Sequence, residues 1–167
     1  MNNLIEKVIQ WAEDRGIIAN STAEKQMLKT IEEVGELAKA IAKNDMPGII
    51  DGIGDVMVTL IIQSHKQRLY FSDVLDEEKT GKWVTPENKI HTCLLLSCSI
   101  GGLCCGVHRV GESHEMLDRL ASCTHWLIRM SEFYNISLEH CLESAYNEIS
   151  KRKGKMENGL FVKEEVK

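Results

Sequence analysis

The chain has 167 residues, enough for one domain of ordinary size. Lysine and arginine number 20 against 25 aspartates and glutamates, and the net charge of −5 argues against a basic face that grips duplex nucleic acid. With 43% apolar residues and only two prolines, Pro47 and Pro86, the composition favours a helical protein with a sizeable core over a disordered or all-β chain.

Residues 3–15 place Leu4, Ile5, Val8, Ile9, Trp11 and Ala12 at helical spacing, and Gly16 ends the run. Asn20-Ser21-Thr22 then offers cap residues for a long helix to about Lys43. Pro47 suits the first turn of a third helix, expected to reach about Gln67. Residues 70–86 read as a connection with one short helix. Two long helices are expected over about 87–109 and 113–134, parted by Gly111-Glu112-Ser113. A last helix from Ser137 to about Lys153 stops at Gly154 and leaves a charged tail. Five or six helices with short links point to a single all-α domain over 1–167, an antiparallel helical bundle.

All six cysteines lie in the second half, and none forms a Cys-x-x-Cys pair. With no basic leader before an apolar run at the amino terminus, a cytoplasmic protein with reduced thiols is the expectation. A zinc site using Cys105 and His108 is the weaker reading of these thiols. The longest uncharged stretch, between His91 and His108, is 16 residues, short of the roughly 20 needed to cross a bilayer. It is expected to be a buried helix rather than a membrane span.

On the second helix Glu32, Glu33 and Glu36 fall within an arc of about 100°. The apolar stripe of Met27, Ile31, Val34, Ala38 and Ile41 is expected on the other side, which makes a solvated acidic face the plain reading. The third helix weighs against that reading. From Ile49 to Ile62 it is apolar nearly all round except for Asp51, Asp55 and Thr59, four apart on one face. A carboxylate on a buried helix needs a cation, a metal or hydrogen-bond donors, and this helix has no lysine or arginine between Asn44 and His65. A hard divalent ion between the two acidic faces resolves the conflict, with Gly35, Gly52 and Gly54 expected to let the helices approach.

The stretch Ile31-Glu32-Glu33-Val34-Gly35-Glu36-Leu37, followed by Gly54-Asp55-Val56, resembles the MazG-type all-α nucleoside triphosphate pyrophosphohydrolases. Their signature is Glu-Glu-x-x-Glu on one helix and Glu-x-x-Asp on the next. The closing segment, Ala145-Tyr146-Asn147-Glu148-Ile149 through Arg152-Lys153-Gly154-Lys155-Met156, is also similar to phage and bacterial MazG-like proteins. The resemblance implies Glu33, Glu36 and Asp55 as ligands of Mg2+, with Mn2+ as the alternative ion, and Glu32 as a further ligand or water-orienting base. The glutamate expected three residues before Asp55 is Gly52, and Asp51 is the candidate replacement. Asn147 would lie near base or sugar. Arg152, Lys153, Lys155 and Lys29 would hold phosphates, and Trp11 would stack on a base.

The activity implied is metal-assisted attack of water on a nucleoside triphosphate, giving a monophosphate and pyrophosphate. The implied assembly is a homo-oligomer, a dimer first of all. A non-catalytic nucleotide-binding or protein-interaction member of the same fold is the alternative. A P-loop enzyme is excluded because no Gly-Lys-Ser/Thr motif occurs, and a di-iron bundle is disfavoured because no Glu-x-x-His pair occurs.

Residues 70–134 are either a helical insertion or a degenerate repeat. Residues 34–41 can be laid on 100–107, and with one gap 51–61 falls on 118–128. Glu32, Glu33, Glu36 and Asp55 then fall on Cys98, Ser99, Gly102 and Ser122, so the acidic set is lost in the second copy.

Overall fold

The computed structural model describes residues 1–107 and 113–164. Among them run eight helices and one two-stranded hairpin. The helices are α1 (Asn2–Asp14), α2 (Ile17–Asn20), α3 (Ala23–Lys43), α4 (Met46–Lys66), α5 (Phe71–Thr80), α6 (Lys89–Gly106), α7 (Ser113–Phe133) and α8 (Leu138–Ile149). The expected all-α class holds, with α2 as an extra single turn. The expected separator Gly111-Glu112 and the candidate ligand His108 lie outside the described residues.

Local chemistry sets most helix ends. Thr22 Oγ1 accepts from the Lys25 amide at the start of α3, and Asp45 Oδ1 accepts from the Gly48 amide at the start of α4. Pro47 sits inside the first turn of α4, where its missing N–H costs nothing. Asn44 closes α3 in the left-handed region, at φ 52°, and the chain turns straight into α4. Asn88 and Ser137 cap α6 and α8 in the same side-chain manner.

Helix α4 is the centre of the protein. It packs against α3, α8, α7 and α1, and Ile53, Val56, Met57, Leu60 and Ile61 are wholly or almost wholly buried. A Cβ added at Gly52 would lie 3.0 Å from the Leu37 Cα, so α3 and α4 cross closely there. At Gly54 a Cβ would lie 2.2 Å from the Cys141 carbonyl oxygen, so Gly54 admits α8 rather than α3. Gly35, expected to serve the same approach, faces open space.

Two sequence expectations are corrected by packing. Helix α3 buries Met27, Thr30, Glu33, Val34, Leu37, Ala40 and Ile41, while Ile31 is 48% exposed. The interhelical seam is rotated from the purely apolar stripe, and it takes Glu33 inside. Helix α6 buries Cys93, Leu96, Ile100 and Leu103 but leaves Leu94 60% exposed, with Cys98 and Cys105 also outside. It is therefore a one-faced helix, and small residues hold down the apolar area shown to water. By length and composition both α4 and α6 could cross a membrane, but most of α4 is enclosed by other helices.

Helices α6 and α7 form a second hairpin beside the first. Ser99 Oγ and Ser122 Oγ lie 2.8 Å apart across it, and Trp126 Nε1 donates to Ser99 Oγ at 3.0 Å. His125 Nδ1 meets Glu78 Oε1 at 2.8 Å and stacks on Trp83, which ties α5 and the following segment onto α7.

The expected charged tail contains a β-hairpin, β1 (Gly154–Glu157) paired antiparallel with β2 (Leu160–Lys163). Asn158 and Gly159 form its turn with φ of 51° and 79°. An Asn-Gly pair with two positive φ angles is the turn that matches strand twist.

Candidate active site

Glu33 is 5% exposed and Asp55 is 8% exposed, both in the seam between α3 and α4. Burial pushes the Asp55 carboxyl up to about 7, and the charges of Glu33, Asp51 and Glu148 push the same way against the opposing pull of Arg152. Lys29 answers part of this acidity. Its Nζ lies 2.6 Å from Glu33 Oε1 and 3.0 Å from Glu32 Oε2. Burial alone would lower the lysine pKa, but the two carboxylates outweigh it and the pKa is raised. Arg152, beyond the end of α8, behaves likewise: burial opposes its charge, while Glu148, Asp55 and Asp51 favour it. It pairs with Glu148.

Asp55 is shared by two cavities. One, of about 420 Å3, holds Glu32, Glu33, Lys29 and Arg152 at its charged end, and its remaining wall is mostly apolar. The other, of about 350 Å3, is lined by Glu36, Asp51 and Gly52 together with Lys39 and Lys43. The acids expected from the sequence thus fall on two sides of one buried aspartate. Trp11 and Thr59 line the larger cavity. Asn147 is exposed and lines a shallow depression with Arg152 instead. Lys153 is exposed, and Lys155 is exposed and paired with Glu157 at 2.8 Å. Neither lines the larger cavity.

The larger cavity also uses residues that the sequence reading does not single out. Leu160, Phe161 and Val162 of β2 form part of its wall, with Gln26 from α3 and Val58 and Ile62 from α4. The Asn158-Gly159 pair was the available signal for the strands, since that dipeptide between apolar residues marks a tight hairpin.

Residues 21–80 match the family model of the MazG nucleotide pyrophosphohydrolase domain. This segment is a MazG-type domain. It contains every acid of the α3–α4 seam. The chain is also 41% identical over 69 residues to an uncharacterized 18.2 kDa protein from the rep-hol intergenic region of Haemophilus phage HP1. That match covers 41% of this chain, which spans about two-fifths, 42%, of the curated relative's length. No solved structure matches the chain.

MazG-type domains take divalent metal, and the donor set here fits a hard cation because it consists of carboxylate oxygens alone. The Asp55 carboxyl is pushed up first by burial and then by the charges of Glu33 and Asp51, and a bound cation would favour its charged form. Among the described residues no three acidic, histidine or cysteine side chains already converge as a finished metal-binding set. Lys29 holds the Glu33 carboxylate.

Gly52 marks this site's departure from the MazG signature. A side chain there would press on the Leu37 backbone, so an acid at 52 would require α3 and α4 to move apart. Asp51, one residue earlier, lines the smaller cavity, and its charge acts on Asp55.

Proposed function

We propose that the chain hydrolyses nucleoside triphosphates to the monophosphate and pyrophosphate with the help of Mg2+ or Mn2+. The observation that carries the reading is the placement of Asp55 between two cavities, one with an apolar wall and the other lined by two lysines and by carboxylates that would hold a metal for the phosphates. A nucleoside triphosphate has that same division into a flat, weakly polar end and a polyanionic end.

Glu33, Glu36 and Asp55 would hold the metal, and Asp51 would supply the acid that Gly52 lacks. The ion would neutralise phosphate charge and lower the pKa of bound water. The chain's own cations have separate tasks. Arg152 and Lys29, at the charged end of the larger cavity, would grip phosphate oxygens; Lys29 must first release Glu33. Lys39 and Lys43 in the smaller cavity would receive the departing pyrophosphate. Glu32 is the most exposed acid at the charged end and would orient water.

The reading is tested by assaying pyrophosphate release from a panel of ribo- and deoxyribonucleoside triphosphates with Mg2+, Mn2+ or chelator. Stoichiometric monophosphate and pyrophosphate, lost with chelator, are expected. No hydrolysis of any triphosphate with either metal would overturn the reading. It would favour the second one, a nucleotide-binding protein of the same fold, for which the missing acid at Gly52 is the specific observation.

A further inference from the structure

Helix α8 meets α4 along one line of residues. Cys141 and Ala145 lie against Gly54, where an added Cβ would stand 2.2 Å from the Cys141 carbonyl oxygen and 2.8 Å from the Ala145 Cβ. Glu148 follows Ala145 by three residues and Arg152 follows Glu148 by four, so both continue that line. Arg152 then shares the wall of the larger cavity with Asp55, the neighbour of Gly54. With Glu148 it also lines the shallow depression alongside.

The backbone is fixed on both sides of Arg152. Its amide donates to the Ile149 carbonyl at 3.0 Å, and the Lys153 carbonyl accepts from the Glu164 amide at 2.9 Å, where the hairpin closes. Lys151 beside it is exposed, whereas the Arg152 side chain is only 19% exposed. A long arginine side chain on a fixed backbone still carries about 2 kcal/mol of rotamer entropy. What restrains it here is Glu148, whose Oε1 accepts from Arg152 Nη2.

Two sets of carboxylates compete for this guanidinium. Glu148 is one, and Asp55 with Asp51 is the other, since their charges also favour the charged arginine. The same competition acts on Asp55. After burial and the charges of Glu33 and Asp51, Arg152 draws its raised pKa down and Glu148 pushes it up. An arginine bonded directly to Asp55 would occupy oxygens that a metal needs and would be spent before any phosphate arrived. Glu148 is 54% exposed, so its bond to Arg152 is partly screened by water and can yield to a phosphate at small cost.

We propose that Glu148 is a positioning residue that holds the Arg152 guanidinium off Asp55 and Asp51, leaving those acids to the metal and the guanidinium to the triphosphate. Its role rests on the nucleotide reading above and deepens it. Glu148 touches neither the metal nor the substrate and acts through Arg152 alone.

The test is a double-mutant cycle in the full-length chain, read by calorimetric titration of Mg2+ without nucleotide. Glu148→Gln should weaken Mg2+ binding about tenfold, the scale of one charge-assisted bond passing from Glu148 to Asp55. In the Arg152→Gln background the same change should have less than about a twofold effect, because the competing guanidinium is gone. At saturating Mg2+, Glu148→Gln should raise KM for triphosphates about fivefold with kcat within about twofold, as expected when a phosphate donor loses its preorganisation. Circular dichroism and thermal melts confirm that each variant is folded.

An equal effect on Mg2+ in both backgrounds would mark Glu148 as a plain through-space charge and overturn the positioning role. An unchanged Mg2+ affinity or an unchanged KM in folded Glu148→Gln would also overturn it. Normal pyrophosphate release alongside any of these leaves the enzyme reading standing. Coupled Mg2+ binding without hydrolysis of any triphosphate leaves the Glu148–Arg152 role at the metal standing and removes the enzyme. A wild-type chain that takes up no Mg2+ overturns both.

Discussion

Lys29 Nζ lies 2.6 Å from Glu33 Oε1, one helical turn apart, so the buried glutamate of the α3–α4 seam is held by a cation from its own helix. The pair competes directly with any metal that needs Glu33. Lys29→Met should lower metal-free stability by about 1 kcal/mol, a modest cost because the lysine is partly in water. Added Mg2+ should then raise Tm more in the variant than in the wild type, since the vacated carboxylate favours the ion. Equal shifts in thermal melts would place the metal away from Glu33.

Asp55 carries the pH dependence. Burial and the neighbouring carboxylates push its carboxyl up to about 7 in the folded chain, from the ordinary value of 3.8 expected of an unfolded one. The folded protein therefore retains a proton that the unfolded chain has already released. This group's contribution to stability is complete below about pH 4, falls as pH rises toward 7, and is flat above. The span corresponds to a loss on the order of 4 kcal/mol. Metal-free denaturation at pH 5 and pH 8 should show it, and Asp55→Asn should flatten the difference. Asp55→Asn and Glu36→Gln should each abolish pyrophosphate release while the fold stays at least as stable. Near-normal turnover in either variant would remove the proposed metal site.

Much of this architecture was legible in the sequence because helix ends are local. Thr22, Asn44, Pro47 and Ser137 act within a turn of their own positions, so the boundaries of α3 and α4 and the start of α8 followed from neighbouring residues, whereas α8 stops at Ile149, short of the expected Lys153. The acids of the site were legible too, since a carboxylate such as Asp55 on an apolar helix conflicts with burial in plain view. What a neighbouring element decides was harder to read. Glu33 is buried and Ile31 exposed because the seam with α4 follows Thr30, Leu37 and Ile41 rather than the most apolar stripe. The uncharged run of α6 does not declare which face meets α7. Phe161 becomes part of the site only when a long-range fold brings the carboxyl-terminal hairpin beside α1.

Asp51 is the test of whether the site tolerates Gly52. It lines the smaller cavity with Glu36 and contributes to the raised Asp55 pKa. If it supplies the missing acid, Asp51→Asn should weaken the apparent Mg2+ affinity about tenfold or more, on the scale of losing one charged ligand interaction. A metal titration of initial rates reads this directly. An unchanged curve would assign Asp51 a structural role.

The two serines of the second hairpin supply the last test. By the alignment, Ser99 and Ser122 fall on Glu33 and Asp55, and their Oγ atoms lie 2.8 Å apart across α6 and α7. In the first hairpin the matching pair, Glu33 and Asp55, lines one cavity. If residues 91–130 are a degenerate repeat, that geometry should accept acids again. Ser99→Glu combined with Ser122→Asp should destabilise the metal-free protein, because two carboxylates would repel one another in a half-buried seam beside Trp126. Mg2+ should then restore stability, with a Tm increase larger than in the wild type and a second binding event by calorimetry. The native site should keep its turnover throughout. A folded double variant with only the wild-type metal response would show that the serine pair is a packing feature of α6 and α7 and would overturn the repeat.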